Sequence, residues 1–171
     1  VGETRDAETA SISVRSAITG HLVLSTLHTN NAVSSIVRLV DMGLEPYLIA
    51  NSLVGVVAQR LMRKLCPHCS YEDMLTYEEA ALLGTDRKAV RRAKGCNRCN
   101  HTGYQGRIAI HEILLIDKEI RRMISAGSAM EEISAYALKT QGMKTLKTSA
   151  LELVETGVTT IEELMKVAYY E

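Results

Sequence analysis

Gly20-His21-Leu22-Val23-Leu24-Ser25-Thr26-Leu27-His28-Thr29-Asn30-Asn31 sets the architecture of this chain. Its apolar centre is short, follows a glycine and runs into a Thr-Asn-Asn cluster, which predicts a strand buried on both faces with its carboxyl end at a polar loop. Upstream, Thr4 to Asp6 read as a polar turn, and Ala7, Ala10, Val14, Ala17 and Ile18 recur at helical spacing before Gly20. Val1-Gly2-Glu3, ahead of that turn, reads as the end of another buried strand. Downstream, Ala32 to Met42 returns to helical period with Val33, Ile36, Val37 and Val40 on one side, and Gly43 stops it. Pro46 then stands at a helix start. Strand, helix, strand, helix predicts an α/β fold with a parallel sheet.

Further along, Tyr47 to Leu53 reads as helix and Val56 to Met62 as strand. Cys66 to Gly106 changes character, with four cysteines and many charges, and Arg107 to Leu115 resumes as a β-rich run, so an inserted subdomain interrupts the sheet. The last third reads as helical. Asp117 caps residues 118–126, Ser128-x-x-Glu131 is a capping-box pattern, residues 144–156 fit a helix closed by Gly157, and Thr160-x-x-Glu163 opens the last helix. Three segments result: 1–65, 66–106 and 107–171.

At about 150 residues per domain, 171 residues make one domain or one with an attachment. Hydrophobic residues at 46% and charged residues at 23% exclude a disordered tail or a collagenous repeat. The net charge is +0, with net +1 over residues 1–65, +2 over 66–111 and −3 over 112–171. That balance lacks the basic excess of a dedicated nucleic-acid binder, so direct nucleic-acid binding is not expected. No apolar stretch approaches the roughly 18 residues needed to span a bilayer. Val1-Gly2-Glu3 reads as a strand end rather than a natural beginning, and the chain is taken as a fragment.

All four cysteines fall in two pairs, Cys66-Pro67-His68-Cys69 and Cys96-Asn97-Arg98-Cys99, with 26 residues between the pairs. Two residues between cysteines let one tight turn aim both sulfurs at a single ion, and two such turns complete a tetrahedron. This is the pattern of a structural zinc site. The competing readings are reduced buried cysteines and a redox-active Cys-x-x-Cys pair, but two matched pairs with no leftover cysteine favour metal. Four protein ligands leave no open coordination position, so the metal clamps rather than catalyses. His68 and Arg98 inside the knuckles are expected to support the thiolates without ligating.

Open α/β sheets bind ligands at the carboxyl ends of their strands, which puts Glu3 where chemistry would be. A carboxylate there can orient a water for attack on a terminal phosphate, with His21 and His28 bracketing the neighbouring strand. Spacing alone does not separate that role from a solvated turn carboxylate and two structural histidines.

Residues 1–10 (Val-Gly-Glu-Thr-Arg-Asp-Ala-Glu-Thr-Ala), 20–30, 58–69 and 95–107 together resemble the ATPases that drive type II secretion and type IV pilus assembly, cysteine knuckles included. The resemblance runs over nearly all of residues 1–115. The pilus-retraction branch lacks the cysteine pairs, so the likeness is to the assembly and export branch. It implies the C-terminal part of a RecA-like P-loop ATPase: 1–65 as the C-terminal half of the core, 66–106 as a zinc-binding subdomain, and 107–171 as closing strand and helical subdomain. By the same resemblance Glu3 stands at the Walker B glutamate that positions or activates water. His21 and His28 stand in the histidine box near the phosphates, and Arg107 at an arginine that approaches nucleotide. Arg5 and Arg60 fall at motif positions whose contacts, with nucleotide, a neighbouring subunit or the core, stay open. ATP and Mg2+, a homo-hexamer, inner-membrane platform components and a cytoplasmic location peripheral to the inner membrane are implied as well. Secretion, pilus assembly and DNA uptake share these motifs.

The departures matter too. A phosphate-binding loop needs Gly-x-x-x-x-Gly-Lys-Ser/Thr, and the sequence contains no Gly-Lys dipeptide, so residues 1–171 alone are expected to be inactive. A non-enzymatic zinc module docking a protein or nucleic acid would explain the cysteines, but not the Gly-Glu strand end or the histidines. Arg87, Lys88, Arg91, Arg92 and Lys94 form a basic cluster that reads as a solvated face, with an anionic membrane surface as the alternative.

Overall fold

The computed structural model describes residues 1–84 and 88–168. Two compact units form, Val1–Ala58 with Glu112–Lys144, and Gln59–His111 with Thr145–Glu171. The three sequence segments follow one another along the chain, whereas each compact unit joins two separated stretches.

In the first unit α1 (Ala7–Ile18) starts where Asp6 accepts a hydrogen bond from Thr9 N at 2.8 Å, and it buries Ala10 and Val14. Helix α2 (Ser34–Asp41) buries Ser35, Ile36 and Leu39. Pro46 supplies the first turn of α3 (Pro46–Ser52), which buries Ile49 and Ala50 and touches both α1 and α5 (Lys118–Ser125). Asp117 caps α5 by accepting from Glu119 N and Ile120 N at 3.0 and 2.9 Å. α6 (Met130–Tyr136) continues as a wider turn over Ala137–Gln141.

Residues 21–28 are extended but form no regular strand. They run beside Val1–Thr4 in the same direction, with Val1 N donating to Leu24 O at 3.0 Å and Thr4 N to Thr26 O at 2.9 Å. Leu22 and Leu24 are 85% and 75% exposed, and Val1 is exposed too, against the expectation of burial on both faces. Burial of such a strand requires covering layers on both faces, and the described residues do not supply them. Among the described residues the expected parallel sheet is this short pairing, and the two regular sheets are antiparallel.

One sheet pairs β1 (Gly55–Leu65) with β4 (Tyr104–Leu115). Bonds from Ile116 N to Val54 O and from Cys66 N to Gly103 O, at opposite ends, give its direction. The other pairs β2 (Tyr71–Met74) with β3 (Ala89–Arg92), setting Tyr71 opposite Arg92 and Met74 opposite Ala89. Between them lies α4 (Tyr77–Leu83), opened by a full Thr76–Glu79 capping box. Thr76-x-x-Glu79 is a start signal for α4 that the sequence carries, whereas the four-residue strands β2 and β3 carry no strong pattern.

The second unit is completed by α7 (Leu146–Glu155) and α8 (Ile161–Ala168), which bury Leu146, Ala150, Val154, Leu164 and Val167. Two of the expected capping boxes are not used. Helix α6 begins at Met130 with no side-chain cap, two residues beyond Ser128. At α8 the Thr160 hydroxyl instead meets Tyr104 Oη at 2.8 Å, while the Glu163 carboxylate is taken by Arg63 and Lys166. Tertiary partners outbid the local cap in both residues.

Candidate functional site

Glu3 follows Gly2 at the end of the short parallel pairing and precedes the Asp6 cap of α1, so its backbone is held on both sides. Between them Thr4 is buried, and its hydroxyl meets Ser25 Oγ at 2.8 Å. The Glu3 carboxylate has two basic neighbours: Arg5 Nη2 lies 2.6 Å from Oε2 and His28 Nε2 lies 2.6 Å from Oε1. Both contacts are short ion pairs, and Oε1, on the His28 side, is itself buried. Hydrogen bonding to Arg5 holds the Glu3 carboxyl below its ordinary range against partial desolvation, and the charges of Arg5 and His28 add to that effect. The site is therefore a carboxylate kept ionised between two basic side chains, one at each oxygen.

His21 stands elsewhere. Its Nδ1 lies 3.2 Å from Ser16 O and 3.3 Å from Thr19 Oγ1, at the C-terminal end of α1. It therefore does not join Glu3, Arg5 and His28. Arg60 and Arg107 belong to the second unit, where Arg60 Nη1 donates to Gln59 O at 3.1 Å and Arg107 is exposed on β4.

The four cysteine sulfurs, Cys66, Cys69, Cys96 and Cys99, lie within 4.8 Å of one another. Cys69 to Cys99 and Cys96 to Cys99 are both 3.8 Å apart. Four sulfurs at about 2.3 Å from a common centre stand about 3.8 Å apart along each edge of the tetrahedron. The donor set and its spacing thus fit one metal ion. Main-chain amides serve the sulfurs: Gly95 N donates to Cys69 Sγ at 3.3 Å, and Cys96 N and Gly103 N donate to Cys99 Sγ at 3.2 Å. Burial opposes ionisation of Cys99, but those two amides outweigh it and lower its thiol, whereas burial raises Cys69. Gly95 is required for this geometry, since it has φ +98° and an added Cβ would stand 2.6 Å from His101 O.

The expectation for His68 and Arg98 is corrected. Arg98 Nη1 stands 3.1 Å from both ring nitrogens of His68, so the pair meets over the imidazole and main-chain amides take the supporting place at the sulfurs. The basic cluster is corrected in part. Arg92 is spent on Asp73 and Glu79, each at 2.8 Å, and Arg91 reaches Ser70 Oγ at 2.9 Å. Arg87 lies outside the described residues.

Two features escaped the sequence. Arg63 grips the buried Glu163 through Nε at 3.0 Å and Nη2 at 2.8 Å, and its guanidinium covers Tyr104 at 3.8 Å. Nothing in the spacing of residues a hundred apart signals that pair. The amides of Gly95 and Gly103 were legible in principle, because glycines flanking a cysteine knuckle let the backbone approach sulfur.

Comparison with known proteins follows the same residues. Residues 1–166 match the family described as Type II/IV secretion system protein. The Type II secretion system protein HxcR of Pseudomonas aeruginosa is 46% identical over 167 residues, covering 98% of this chain and 32% of that protein. The Type IV pilus assembly ATPase PilB of Thermus thermophilus is 46% identical over 170 residues, covering 96% of this chain and 19% of that protein. Among solved structures, the pilus retraction motor PilT with bound ADP superposes with a TM-score of 0.65 at 25% identity, covering 98% of this chain and 38% of that one. The chain thus spans about a third or less of the curated relatives named here. The fold is that of the secretion and pilus ATPases, and the chain belongs to the Type II/IV secretion system protein family.

Proposed function

We propose that the full-length protein is a homo-hexameric ATPase, using Mg2+, that powers type II protein secretion or type IV pilus assembly from the cytoplasmic side of the inner membrane. Residues 1–171 form the C-terminal part of its motor domain. The observation that carries this reading is the Glu3 carboxylate at the end of the short parallel pairing, held ionised by Arg5 and facing His28, each at 2.6 Å. An ionised carboxylate at such a strand end is the group that orienting a water for attack on a terminal phosphate requires. Relatives named as a pilus assembly ATPase and as secretion system proteins support the same reading. No helix among the described residues is long and apolar enough to cross a membrane. Arg5, Arg60 and Arg107 are assigned to nucleotide or subunit contacts, and His21 to the outer edge of the histidine box.

The four cysteines hold zinc in this account. A four-thiolate shell is closed to water and substrate, so the ion ties the two knuckles together and takes no part in hydrolysis. The phosphate-binding loop comes from residues upstream, since this sequence has no Gly-Lys dipeptide. Phosphate release from ATP and Mg2+ tests the reading. Turnover is expected from the full-length protein and none from residues 1–171 alone, while turnover by the shorter chain, or none by the full-length protein, would overturn it.

A further inference from the structure

Glu112 is a buried carboxylate that the proposed chemistry does not use. It sits on β4 in the first unit with 3% of its surface exposed, and its Oε1 accepts from Ala32 N at 2.8 Å across 80 residues of sequence. A buried carboxylate needs such compensation to be tolerated at all. Its partner is informative. Ala32 leads into α2, whose N-cap residue Val33 makes no side-chain cap bond, and the amide of Ala32 itself turns to Glu112 rather than to a neighbour in the loop. Glu112 supplies an acceptor from a distant strand. Local bonds finish the loop: Ser34 N donates to Asn31 Oδ1 at 2.8 Å, and Thr29 Oγ1 meets Ser35 Oγ at 2.8 Å.

His28 is the residue immediately before this loop, and its side chain is 86% exposed. With so little packed against the ring, the backbone on either side holds it 2.6 Å from Glu3. Upstream that backbone is tied by Thr26 O to Thr4 N, and downstream by the loop that Glu112 anchors. We infer that Glu112 is a positioning residue: by fixing residues 29–33 it keeps His28 opposite Glu3. This rests on the reading of Glu3 and His28 as the reacting end of the site.

Hydrogen exchange and ATP turnover on the full-length protein test it together. Glu112→Ala is expected to speed exchange in the peptide covering residues 29–36 by about tenfold while leaving the α1 peptide unchanged. It should also lower kcat roughly tenfold with KM for ATP within about twofold. Glu112→Gln, which keeps an oxygen facing Ala32 N, should recover both. Because Glu112 acts through His28, adding Glu112→Ala to His28→Ala should cost nothing more. Unchanged exchange at residues 29–36, losses that simply add in the double variant, or faster exchange across α1 as well would each overturn the inference. Faster exchange confined to residues 29–36 alongside wild-type turnover in His28→Ala would instead remove the catalytic reading of His28 and leave the anchor standing.

Discussion

The tetracysteine cluster and the Glu3 cluster are built on opposite plans. Four sulfurs converge to within 4.8 Å, two of the four cysteines are buried, and backbone amides of the same short loops serve the sulfurs. Everything that site needs lies within residues 66–103. Glu3, by contrast, is held by the side chains of Arg5 and His28, both largely exposed, beside a short backbone pairing. A shell closed on itself holds a structure together, whereas a carboxylate between two exposed basic side chains is where the proposed chemistry is assigned. Clamp and proposed chemistry are therefore assigned to separate places in one chain.

The largest effect should come from breaking the closed side. A structural four-thiolate zinc contributes about 10–16 kcal/mol of apparent binding free energy. Chelation is therefore expected to unfold the knuckles and speed proteolysis within residues 67–103, while amide exchange in α1 to α3 stays as it was. Metal analysis should find one zinc per chain before chelation. Exchange rising equally in both regions would erase the distinction.

Next comes the Arg63–Glu163 pair in the second unit. Burial raises the Glu163 carboxyl, but Arg63 and Lys166 outweigh it and hold it at about 2 against the ordinary 4.5. A depressed carboxyl contributes stability above pH 4.5 and loses it as pH falls from 4.5 towards 2. Because Arg63 is half-exposed, the contribution is on the order of 2 kcal/mol rather than that of a fully buried pair. Glu163→Gln should lower the thermal midpoint at pH 7 and flatten its fall through that acid window, as read by melts at stepped pH.

A loss of similar size is expected from Gly95→Ala. The positive φ and the close approach to His101 O together cost about 1–3 kcal/mol, and zinc affinity should fall with stability, as competition with a chromogenic chelator would measure. Smallest is Asp117→Ala in the first unit, which removes the α5 cap at about 1 kcal/mol. That change should shift the melt and leave zinc content alone, which sharpens the division between the two regions.

What was legible in the sequence follows from how local each interaction is. The cysteine pairs, the polar turn before α1, the Asp117 cap, the Pro46 start and the Gly157 stop are each set within a turn or two, and the structure forms them. Residues 21–28 read as a doubly buried strand because Leu22, Val23, Leu24 and Leu27 are apolar, yet burial depends on layers that no local pattern guarantees. Ser128 and Glu163 match capping boxes, but the helix slid past Ser128, and Glu163 found Arg63. Glu112 lay unremarked inside a β-rich run, since its value comes from an amide 80 residues away. At the candidate site the residue types of Glu3 and His28 were readable, whereas the approach of Arg5 and His28 to opposite carboxylate oxygens needs coordinates.

The most direct measurement is ATP turnover and zinc content on the same preparation of full-length Glu3→Gln. The account predicts a turnover loss of at least about a hundredfold, with zinc per chain and assembled mass equal to those of the unaltered protein. Turnover at the unaltered rate with zinc intact would contradict it, leaving the clamp without the chemistry assigned to Glu3.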